Sequence, residues 1–566
     1  MPEFTIGNYL ATRLEQIGIK HYFMVPGDYN LVLLDQLLAN KNMEQIGCCN
    51  ELNASYAAEA YARVNGCGAV VATMNVGSFS ALNGVAGAYA ERLPVIFVAS
   101  GYNTNDASTS HLLHHSLGTH DFSYQYEMFK YVTCAAVRIV HPGDAPSMID
   151  HAIRTALRER KPAYIEIACN LSDAPCPEPG PYEAIMAPEE SNSDALAGAV
   201  GRATALLASA KKPILLAGAH LCCSHGAIGA FRDVAEALGC AVAVMPDAKG
   251  FFPEDHPQYI GIYWGPVSSP GCEAVLDWAD VIVAAGPVFS DYTTAGWTGE
   301  PPAEKMINVS ARDVRFADAE YTNVALEDFL AGLARNVHGN DATLTQFHRI
   351  ATGAAALAAR NGDASAQLTR AELWHQIEQD LDPKSTLLCE GGDSWFNGAF
   401  TRLPGGARFE IEMQWGSLGW ACPATFGYAM GLEADRRLVS VIGDGSFQLT
   451  AQEVANMIRH GQETVIFLVN NRGYVSESAI HDGPYNYFKN WDYAGLIDAW
   501  NADDGHGLGL TATTGEELAD AISKARKYKG GPVLIECQTA HDDCSPQLIE
   551  WGARVARANT RPHQTT

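Results

Sequence analysis

The sequence predicts an α/β protein built from three doubly wound domains. Its length of 566 residues suggests three or four domains at about 150 residues each. Short apolar runs of strand length alternate with amphipathic stretches of helical spacing, which is typical of parallel sheets covered by helices. Two polar breaks divide this alternation. We therefore predict an N-terminal domain at residues 1–188, a central domain at 189–355 and a C-terminal domain at 356–566.

The N-terminal domain begins with a clear helix signal. Thr5 can cap a helix whose apolar residues recur at three- and four-residue spacing, and Gly18 can end it. We predict strands at residues 22–25, 69–73 and 95–99, with a helix at 80–92. Five prolines between Pro175 and Pro188 follow. Because proline lacks an amide hydrogen and fixes φ, we expect an extended, exposed linker there.

The central and C-terminal domains continue the alternation. Strands are predicted at residues 213–217 and 281–285 in the central domain, and a second polar break at 339–341 precedes a helical stretch. The C-terminal domain has predicted strands at residues 386–389, 438–442, 464–469 and 533–536. We see no internal repeat with a period of about 20 to 50 residues.

Composition and charge exclude several classes of function. Lys+Arg 38 against Asp+Glu 65 gives a net charge of -27, and such a chain repels the phosphate backbone of nucleic acids. No apolar run approaches the roughly 18 to 20 residues of a membrane helix, and residues 1–20 lack a signal-peptide pattern. The 14 cysteines form no Cys-x-x-Cys pair, so we expect most to be small buried apolar residues. We expect a cytoplasmic protein with no nucleic-acid or membrane partner.

The most informative stretch is residues 438–473. A predicted strand runs into Gly-Asp-Gly-Ser at 443–446, a helix follows, and the next strand runs into Asn-Asn at 470–471. Strands joined by a helix should be parallel neighbours, so Asp444 and Asn471 should meet at one sheet edge. Their oxygens suit Mg²⁺, and amides at the helix start can bind a diphosphate. Gly-Asp-Gly alone is also a common turn, and the paired strand ends are what favour a ligand site.

A capping box is expected within the same stretch. Thr450 and Glu453 have the spacing in which each side chain bonds the backbone amide of the other, so we predict that the connecting helix begins there.

The same residues resemble a known cofactor signature. Gly443-Asp444-Gly445 followed after 24 residues by Asn470-Asn471 is similar to the diphosphate-binding signature of thiamine diphosphate enzymes. Further matches narrow the resemblance to the pyruvate decarboxylase family of 2-oxo acid decarboxylases, over nearly the whole chain. They lie at residues 25–30, 114–115, 291–297, 393–397, 412–416 and 480–486.

The resemblance implies a set of catalytic residues around the cofactor: Glu51, Asp28, His114, His115 and Glu477. Glu51 would hydrogen-bond the pyrimidine ring and favour the tautomer that removes the thiazolium proton. Asn50-Glu51 is also a typical helix start. The other four would form a proton relay that protonates the carbanion left after carbon dioxide departs.

The resemblance also implies binding residues. Leu418 would bend the cofactor, and the Gly416 carbonyl would accept a hydrogen bond from its exocyclic amine. The expected cofactor-binding residues are Glu51, Val76, Asp393, Gly416, Leu418, Asp444, Gly445, Ser446, Asn471 and Gly473, with Asp444, Asn471 and Gly473 as Mg²⁺ ligands. The expected substrate-pocket residues are Tyr292, Gly391, Trp395, Ser476 and Ile480.

The function implied is non-oxidative decarboxylation of 2-oxo acids, converting pyruvate to acetaldehyde and carbon dioxide. The family often has isoleucine, threonine and histidine where this chain has Ser476, Gly391 and Ser417. These smaller residues leave open a broader specificity, for longer, branched or aromatic 2-oxo acids, with carboligation as a side reaction.

Other interpretations stay open at this stage: a carboligase such as acetohydroxyacid synthase, a flavin-dependent oxidase, or an inactive cofactor-binding scaffold. Gly218-Ala219-His220 is not a dinucleotide fingerprint, so we assign the central domain to assembly. The resemblance implies a homo-oligomer, expected to be a tetramer built as a dimer of dimers, because each site takes domains from two subunits.

Overall fold

The computed structural model describes residues 4–107, 109, 111–184, 190–223, 226–351 and 365–560. These residues form three α/β domains, each with one twisted sheet covered by helices. The predicted fold class is therefore confirmed. The predicted domain boundaries at 188/189 and 355/356 lie outside the described residues, as does Pro188.

The N-terminal domain contains a six-stranded sheet in the order β2-β1-β3-β4-β6-β5. Every neighbouring pair of its strands is parallel, and the central strands are buried on both faces. Its elements are α1 Ile6–Gln16, β1 His21–Met24, α2 Leu31–Leu38, β2 Glu44–Gly47, α3 Glu51–Asn65, β3 Gly68–Ala72, α4 Val76–Ala90, β4 Val95–Gly101, α5 Tyr124–Phe129, β5 Ala135–Ile139, α6 Ala145–Glu159 and β6 Ala163–Ala168.

The central domain has a seven-stranded sheet in the order β13-β12-β11-β10-β7-β8-β9. Only the β11–β12 and β12–β13 pairs are antiparallel. Its elements are α7 Ser193–Ser209, β7 Pro213–Ala217, α8 Ala227–Leu238, β8 Ala241–Val244, β9 Tyr259–Ile262, α9 Cys272–Trp278, β10 Val281–Ala285, β11 Met306–Val309, β12 Asp313–Phe316, β13 Ala319–Thr322, α10 Leu326–Ala334 and α11 Ala342–Ala351.

The C-terminal domain has a six-stranded, fully parallel sheet in the order β15-β14-β16-β17-β19-β18. Its elements are α12 Arg370–Asp380, β14 Ser385–Cys389, α13 Asp393–Phe400, β15 Arg408–Glu410, α14 Ala421–Gly431, β16 Arg437–Gly443, α15 Asp444–Thr450, α16 Val454–Arg459, β17 Val465–Asn470, α17 Val475–Ile480, α18 Tyr493–Asn501, β18 Leu508–Ala512, α19 Gly515–Lys527, β19 Val533–Gln538 and α20 Pro546–Asn559.

Helix α3 of the N-terminal domain packs closely on helix α14 of the C-terminal domain. Small residues make this possible: a Cβ atom on Gly427 in α14 would lie 1.9 Å from the Ala57 carbonyl oxygen in α3. Apolar side chains of both helices belong to one continuous core. The contact joins the first and third domains directly, without the central domain between them.

The local predictions have mixed outcomes. Thr5 caps α1 through a hydrogen bond to the Asn8 amide, as predicted. The predicted capping box at Thr450 and Glu453 is wrong, because the helix after β16 begins at Asp444. The Thr450 hydroxyl instead donates to the Gly419 carbonyl at 2.6 Å. Glu453 is fully buried and accepts hydrogen bonds from the N-terminal domain, so tertiary contacts take both side chains.

The linker and the cysteines agree with the sequence analysis in part, since Tyr182–Ala184 in the linker forms a short 3₁₀ helix. Pro175, Pro177 and Pro181 are exposed, although Cys176 between them is buried and its amide donates to Phe4. Seven of the cysteines whose side chains are described are buried free thiols. Among the described residues, no helix combines the length and apolar character that a membrane crossing requires.

Candidate active site

A cavity of about 230 Å³ lies at the carboxyl edge of the C-terminal sheet. Parallel strands place ligand sites at this edge, where the loops after neighbouring strands diverge. Thirteen predicted binding residues line it: Tyr292, Gly391, Asp393, Trp395, Gly416, Leu418, Asp444, Gly445, Ser446, Asn471, Gly473, Ser476 and Ile480. The predicted catalytic residue Glu477 lines the same cavity.

Asp444 is the first residue of α15 and follows directly on β16. Its two carboxylate oxygens accept hydrogen bonds from the Gly445 amide at 2.8 Å and the Arg472 amide at 2.6 Å. Only 1 % of Asp444 is exposed, and this burial raises the pKa of its carboxyl group to about 6. A buried carboxylate held by amides alone would gain stability from a cation.

Asn471 faces Asp444 from the end of the neighbouring strand β17, because β16 and β17 pair in parallel. Its side-chain oxygen Oδ1 is buried and has no hydrogen-bond donor among the described residues. A buried acceptor without a donor is costly unless a ligand supplies the partner. The two oxygens of Asp444 and Asn471 therefore fit a hard cation such as Mg²⁺.

Gly473 follows in the same loop at a position with no space for a side chain. A Cβ atom there would lie 2.6 Å from His541 Cε1 and 2.9 Å from the Asn486 carbonyl oxygen. His541 Nδ1 is 2.9 Å from the Asn471 carbonyl oxygen. His541 thus supports the loop from the segment after β19. Sequence analysis missed it, since no local motif marks a contact across 70 residues.

The segment 413–418, which we call the cofactor loop, carries Gly416 and Leu418. Glu91 accepts hydrogen bonds from the amides of Gln414 and Trp415, at 2.7 and 3.2 Å. Gly416 has φ +65°, a conformation that favours glycine. The Glu91 carboxylate of the N-terminal domain therefore fixes the backbone of this loop, and Leu418 lines the cavity.

Glu390 is a second residue that sequence analysis missed. It follows directly on strand β14 and is 1 % exposed. Its carboxylate accepts hydrogen bonds from the amides of Gly391 and Ala421, both at 2.9 Å. Burial raises the pKa of its carboxyl group to about 7. Glu390 thus connects the end of β14 to the start of helix α14, which follows the cofactor loop.

Asp393 lines the cavity, but its carboxylate is already engaged by the protein. One oxygen accepts from the amide and hydroxyl of Ser545, and the other accepts from Asn397 Nδ2 at 2.8 Å. Ser545 is the N-cap of α20, which brings Leu548 and Trp551 to the cavity wall. In this structure Asp393 anchors helix α20, and a contact with a cofactor would be additional to this role.

Tyr292 is the central domain's contribution to the cavity. Its carbonyl oxygen accepts hydrogen bonds from the indole nitrogens of Trp264 and Trp551, at 2.7 and 3.0 Å. Its ring packs edge-on against Trp395 and Trp551. Burial, and then the charge of Glu477, raise the pKa of the Tyr292 hydroxyl. The two aromatic contacts make this wall of the cavity apolar and stiff.

The other predicted catalytic residues lie together on the N-terminal domain. His114 Nε2 is 2.6 Å from Asp28 Oδ2, and the His114 ring packs on the His115 ring at 4.6 Å between centroids. Ligand atoms of Asp28, His114 and His115 all lie within 4.8 Å of one another. Asp28 and His114 are therefore close enough to exchange a proton directly, and His115 packs beside His114.

Glu51 and Val76 lie side by side at the starts of helices α3 and α4. Asn50 caps α3, so Glu51 is also the helix start that its sequence suggests. A Cβ atom on Gly77 would come within 2.6 Å of Glu51 Oε1, so the carboxyl group rests against the first turn of α4. Burial raises the pKa of Glu51. Val76 is 52 % exposed.

The chain holds the site in two halves. The cavity that contains Glu477 and Asp444 is not lined by any of the N-terminal candidates, which are Glu51, Val76, Asp28, His114 and His115. The expected relay between Glu477 and the histidines is thus not assembled within the described residues of one chain.

Three thiamine pyrophosphate enzyme profiles match the chain; thiamine pyrophosphate is another name for thiamine diphosphate. They are the N-terminal TPP binding domain at residues 4–124, the central domain at 200–331 and the C-terminal TPP binding domain at 393–537. The first contains Glu51 and the histidine pair, and the third contains Asp444 and Asn471. The two halves of the site thus correspond to the two cofactor-binding domains.

Full-length relatives narrow the family further. The chain is 50% identical to a probable pyruvate decarboxylase of Schizosaccharomyces pombe over 558 residues, covering 99% of this chain and 97% of that protein. The chain belongs to the pyruvate decarboxylase family. Other similar members are a pyruvate decarboxylase of Neurospora crassa, 49% identical over 99% of this chain and 97% of its own, and pyruvate decarboxylase 3 of Arabidopsis thaliana, 44% identical over 99% and 94%.

Proposed function

We propose that this protein decarboxylates pyruvate and other 2-oxo acids without oxidation, using thiamine diphosphate and Mg²⁺. The observation that carries the proposal is the presence of both binding halves in a chain that matches a probable pyruvate decarboxylase over 97% of that protein. The relatives named above are pyruvate decarboxylases, which favours this reaction over the carboligase and flavin-oxidase alternatives. The seven buried cysteines are free thiols, which is consistent with a reducing compartment, so we propose the cytoplasm as its location.

The C-terminal half would hold the cofactor by its diphosphate. Asp444, the Asn471 side chain and the Gly473 carbonyl would ligate Mg²⁺, and the amides of Gly445 and Ser446 would donate to diphosphate oxygens. The Gly416 carbonyl and Leu418 would orient the pyrimidine ring. When bound, thiamine diphosphate supplies the electron sink for loss of carbon dioxide.

The residues of the N-terminal half would carry out the proton transfers. Glu51 would hold a proton at its carboxyl group against the pyrimidine ring, and the raised pKa keeps that proton available. Asp28, His114 and His115 would deliver the proton that the product carbon requires. Tyr292, Trp395 and Ile480 would enclose the substrate side chain and exclude water.

A second copy of the chain would complete each site. Apolar side chains are exposed beside both halves: Val76, Leu112 and Leu117 on the N-terminal domain, and Leu449, Tyr485, Tyr487 and Ile549 on the C-terminal domain. Burying such surfaces against a partner is the usual basis of obligate dimers. We propose a dimer as the catalytic unit and a dimer of dimers as the full assembly, to be measured by analytical ultracentrifugation.

Subunit complementation tests both the assembly and the assignment of residues. Glu51→Gln and Glu477→Gln should each be inactive as pure proteins. Co-expressed with different tags and purified as mixed dimers, they should regain activity, because one of the two sites then receives Glu51 from one chain and Glu477 from the other. If each site forms within one chain, every site keeps one substitution and mixed dimers stay inactive.

Product analysis tests the reaction itself. With pyruvate, thiamine diphosphate and Mg²⁺, we expect acetaldehyde and carbon dioxide in equal amounts. Acetolactate as the main product would instead establish a carboligase, and oxygen consumption with flavin absorbance would establish an oxidase.

A further inference from the structure

Four carboxyl groups, two of them buried and two partly buried, surround a single arginine where the N-terminal and C-terminal domains meet. We call this the acid cluster: Glu59, Glu91, Glu410 and Glu412 around Arg63. The Arg63 guanidinium lies 2.7 Å from Glu59, 3.7 Å from Glu91 and 3.3 Å from Glu410. One guanidinium can offset one of four negative charges, so all four carboxyl groups cannot be ionised without a large penalty.

Three members of the cluster have the partners that an ionised carboxylate needs. Glu59 accepts two hydrogen bonds from Arg63 and one from Trp420 Nε1 at 2.7 Å. Glu91 accepts from two amides of the cofactor loop. Glu410 lies against Arg63 at 3.3 Å. These hydrogen bonds and the Arg63 charge favour the ionised form, although burial still raises the pKa of Glu91 and of Glu410.

Glu412 has the weakest support for a charge. It is 3 % exposed, and its Oε2 accepts one hydrogen bond, from the Ser417 amide at 2.8 Å. Its Oε1 is buried against Gly87 with no hydrogen-bond partner in the part of the chain that the structure describes. Burial, together with the charges of Glu59 and Glu91, raises the pKa of Glu412.

We propose that Glu412 carries a proton in the folded protein and, in this neutral form, acts as a positioning residue that holds the cofactor loop. Oε2 of its neutral carboxylic acid group accepts the hydrogen bond from the Ser417 amide and so fixes that residue between Gly416 and Leu418. The consequence for activity rests on the proposed function, because it assumes that this loop contacts the cofactor. The protonation itself rests only on the geometry and charge of the acid cluster.

The groups that face Glu412 come from every element packed around it. Tyr56, Glu59 and Arg63 lie in α3, Glu91 follows α4, and Glu410 precedes Glu412 in the chain. Asp247 of the central domain faces Glu91, and burial and then Glu91 raise the pKa of Asp247 to about 7. Arg63 is the one cation in this set, and it is already paired with Glu59.

The proposal fixes the sign of a pH effect. The folded pKa of Glu412 is raised above its unfolded value, so folding retains the proton. The contribution of this proton to the free energy of unfolding is fully present below the unfolded pKa of about 4.3. It is lost as pH rises through the folded pKa. Above the unfolded pKa, a neutral side chain of the same shape should therefore become more favourable than glutamate as pH rises.

Three variants test the proposal: Glu412→Gln, Glu412→Leu and, as the matched control in the same cluster, Glu59→Gln. Glu412→Gln keeps the acceptor for Ser417 without a charge, so we expect kcat/KM within about threefold of the parent. Its melting temperature relative to the parent should increase with pH. Glu412→Leu cannot accept from Ser417, and it should weaken cofactor binding at least tenfold by calorimetry. Glu59→Gln should lower the melting temperature at every pH, because it removes the anion that pairs with Arg63.

Infrared difference spectroscopy measures the proton directly. The parent should show the C=O stretching band of a carboxylic acid that Glu412→Gln lacks, in the protein without cofactor. Absence of that band, or a Glu412→Gln protein as unstable as Glu59→Gln, would overturn the proposal. An inactive parent enzyme would refute the proposed function instead, and would leave the infrared result unchanged.

Discussion

Leu418 lies against Gly391: a Cβ atom on Gly391 would come within 2.8 Å of Leu418 Cδ2 and 3.5 Å of the Trp395 ring. From the sequence we expected that glycine at 391 adds space for substrate. In the structure Leu418 occupies that space, so Gly391 sets the position of the side chain that we propose orients the cofactor. Any enlargement of the substrate pocket must therefore come from other positions, of which Ser476 is the clearest.

Ser476→Ile tests the size of the pocket. Ser476 lines the cavity, and its Oγ lies 2.8 Å from where a Cβ atom on Gly392 would be. Isoleucine would fill part of the cavity, and one methylene typically changes discrimination by about 1 to 3 kcal/mol. We expect the ratio of kcat/KM for 2-oxohexanoate over pyruvate to fall about tenfold. Ser476→Ala, which removes the hydroxyl without adding volume, should not lower the ratio; an unchanged ratio in Ser476→Ile would show that residue 476 does not limit substrate size.

Glu51→Gln should retain cofactor binding and lose most turnover. Glutamine keeps a hydrogen-bonding group at the start of α3 but cannot hold an acidic proton there. We expect kcat to fall by about 100-fold or more, in the range of general acid–base catalysis, with the cofactor dissociation constant nearly unchanged. Hydrogen–deuterium exchange at C2 of the bound cofactor provides the check. Exchange at the parent rate would contradict the assignment.

Asp444→Ala should lose Mg²⁺-dependent cofactor binding. It removes a buried carboxylate oxygen that no other described side chain can replace, so the affinity should fall by more than about tenfold. Asp435→Ala is the matched control, since Asp435 is exposed at the opposite end of the same strand and pairs with Lys384. Calorimetry with and without Mg²⁺ measures both variants. Undiminished binding in Asp444→Ala would refute its role as a ligand.

Gly427→Ala should destabilise the protein by at least about 1 to 3 kcal/mol, the usual effect of overpacking. The new methyl group would meet the Ala57 carbonyl oxygen at 1.9 Å, and backbone cannot move aside as a flexible side chain can. Gly229→Ala in α8 is the control: nothing lies within 4 Å of its Cβ position, and it should stabilise by about 0.5 to 1 kcal/mol. Thermal unfolding compares the two. Equal melting temperatures would show that α3 and α14 separate more easily than their contact suggests.

The buried strands were the most predictable part of the fold. The predicted strands at 213–217 and 281–285 coincide with β7 and β10, because strands buried on both faces are continuous apolar runs. The helix predicted at 80–92 instead spans Val76–Ala90. Its first turn contains Gly77 and Ser78, which are weak helix formers, and its start is set by packing against Glu51.

The site was predictable where its residues follow strand ends, as Asp444 and Asn471 do. It was not predictable where long-range contacts decide. His541 and Glu390 carry no motif, and Glu412 lies in a matched segment that says nothing of its protonation; their roles depend on which backbone groups the fold brings to them. The Thr450–Glu453 pattern failed for the same reason: two residues with ideal local spacing found better partners in distant segments.

The N-terminal and C-terminal sheets share one strand order, with β2-β1-β3-β4-β6-β5 corresponding to β15-β14-β16-β17-β19-β18. Helix α3 follows β2 and helix α14 follows β15, so the two helices that pack on each other occupy equivalent places. Contact between equivalent surfaces is the hallmark of a two-fold symmetric pair. The chain thus has the internal symmetry of two fused subunits, as duplication of one ancestral unit would produce. After such a fusion each copy could diverge, one toward metal and diphosphate and the other toward proton transfer.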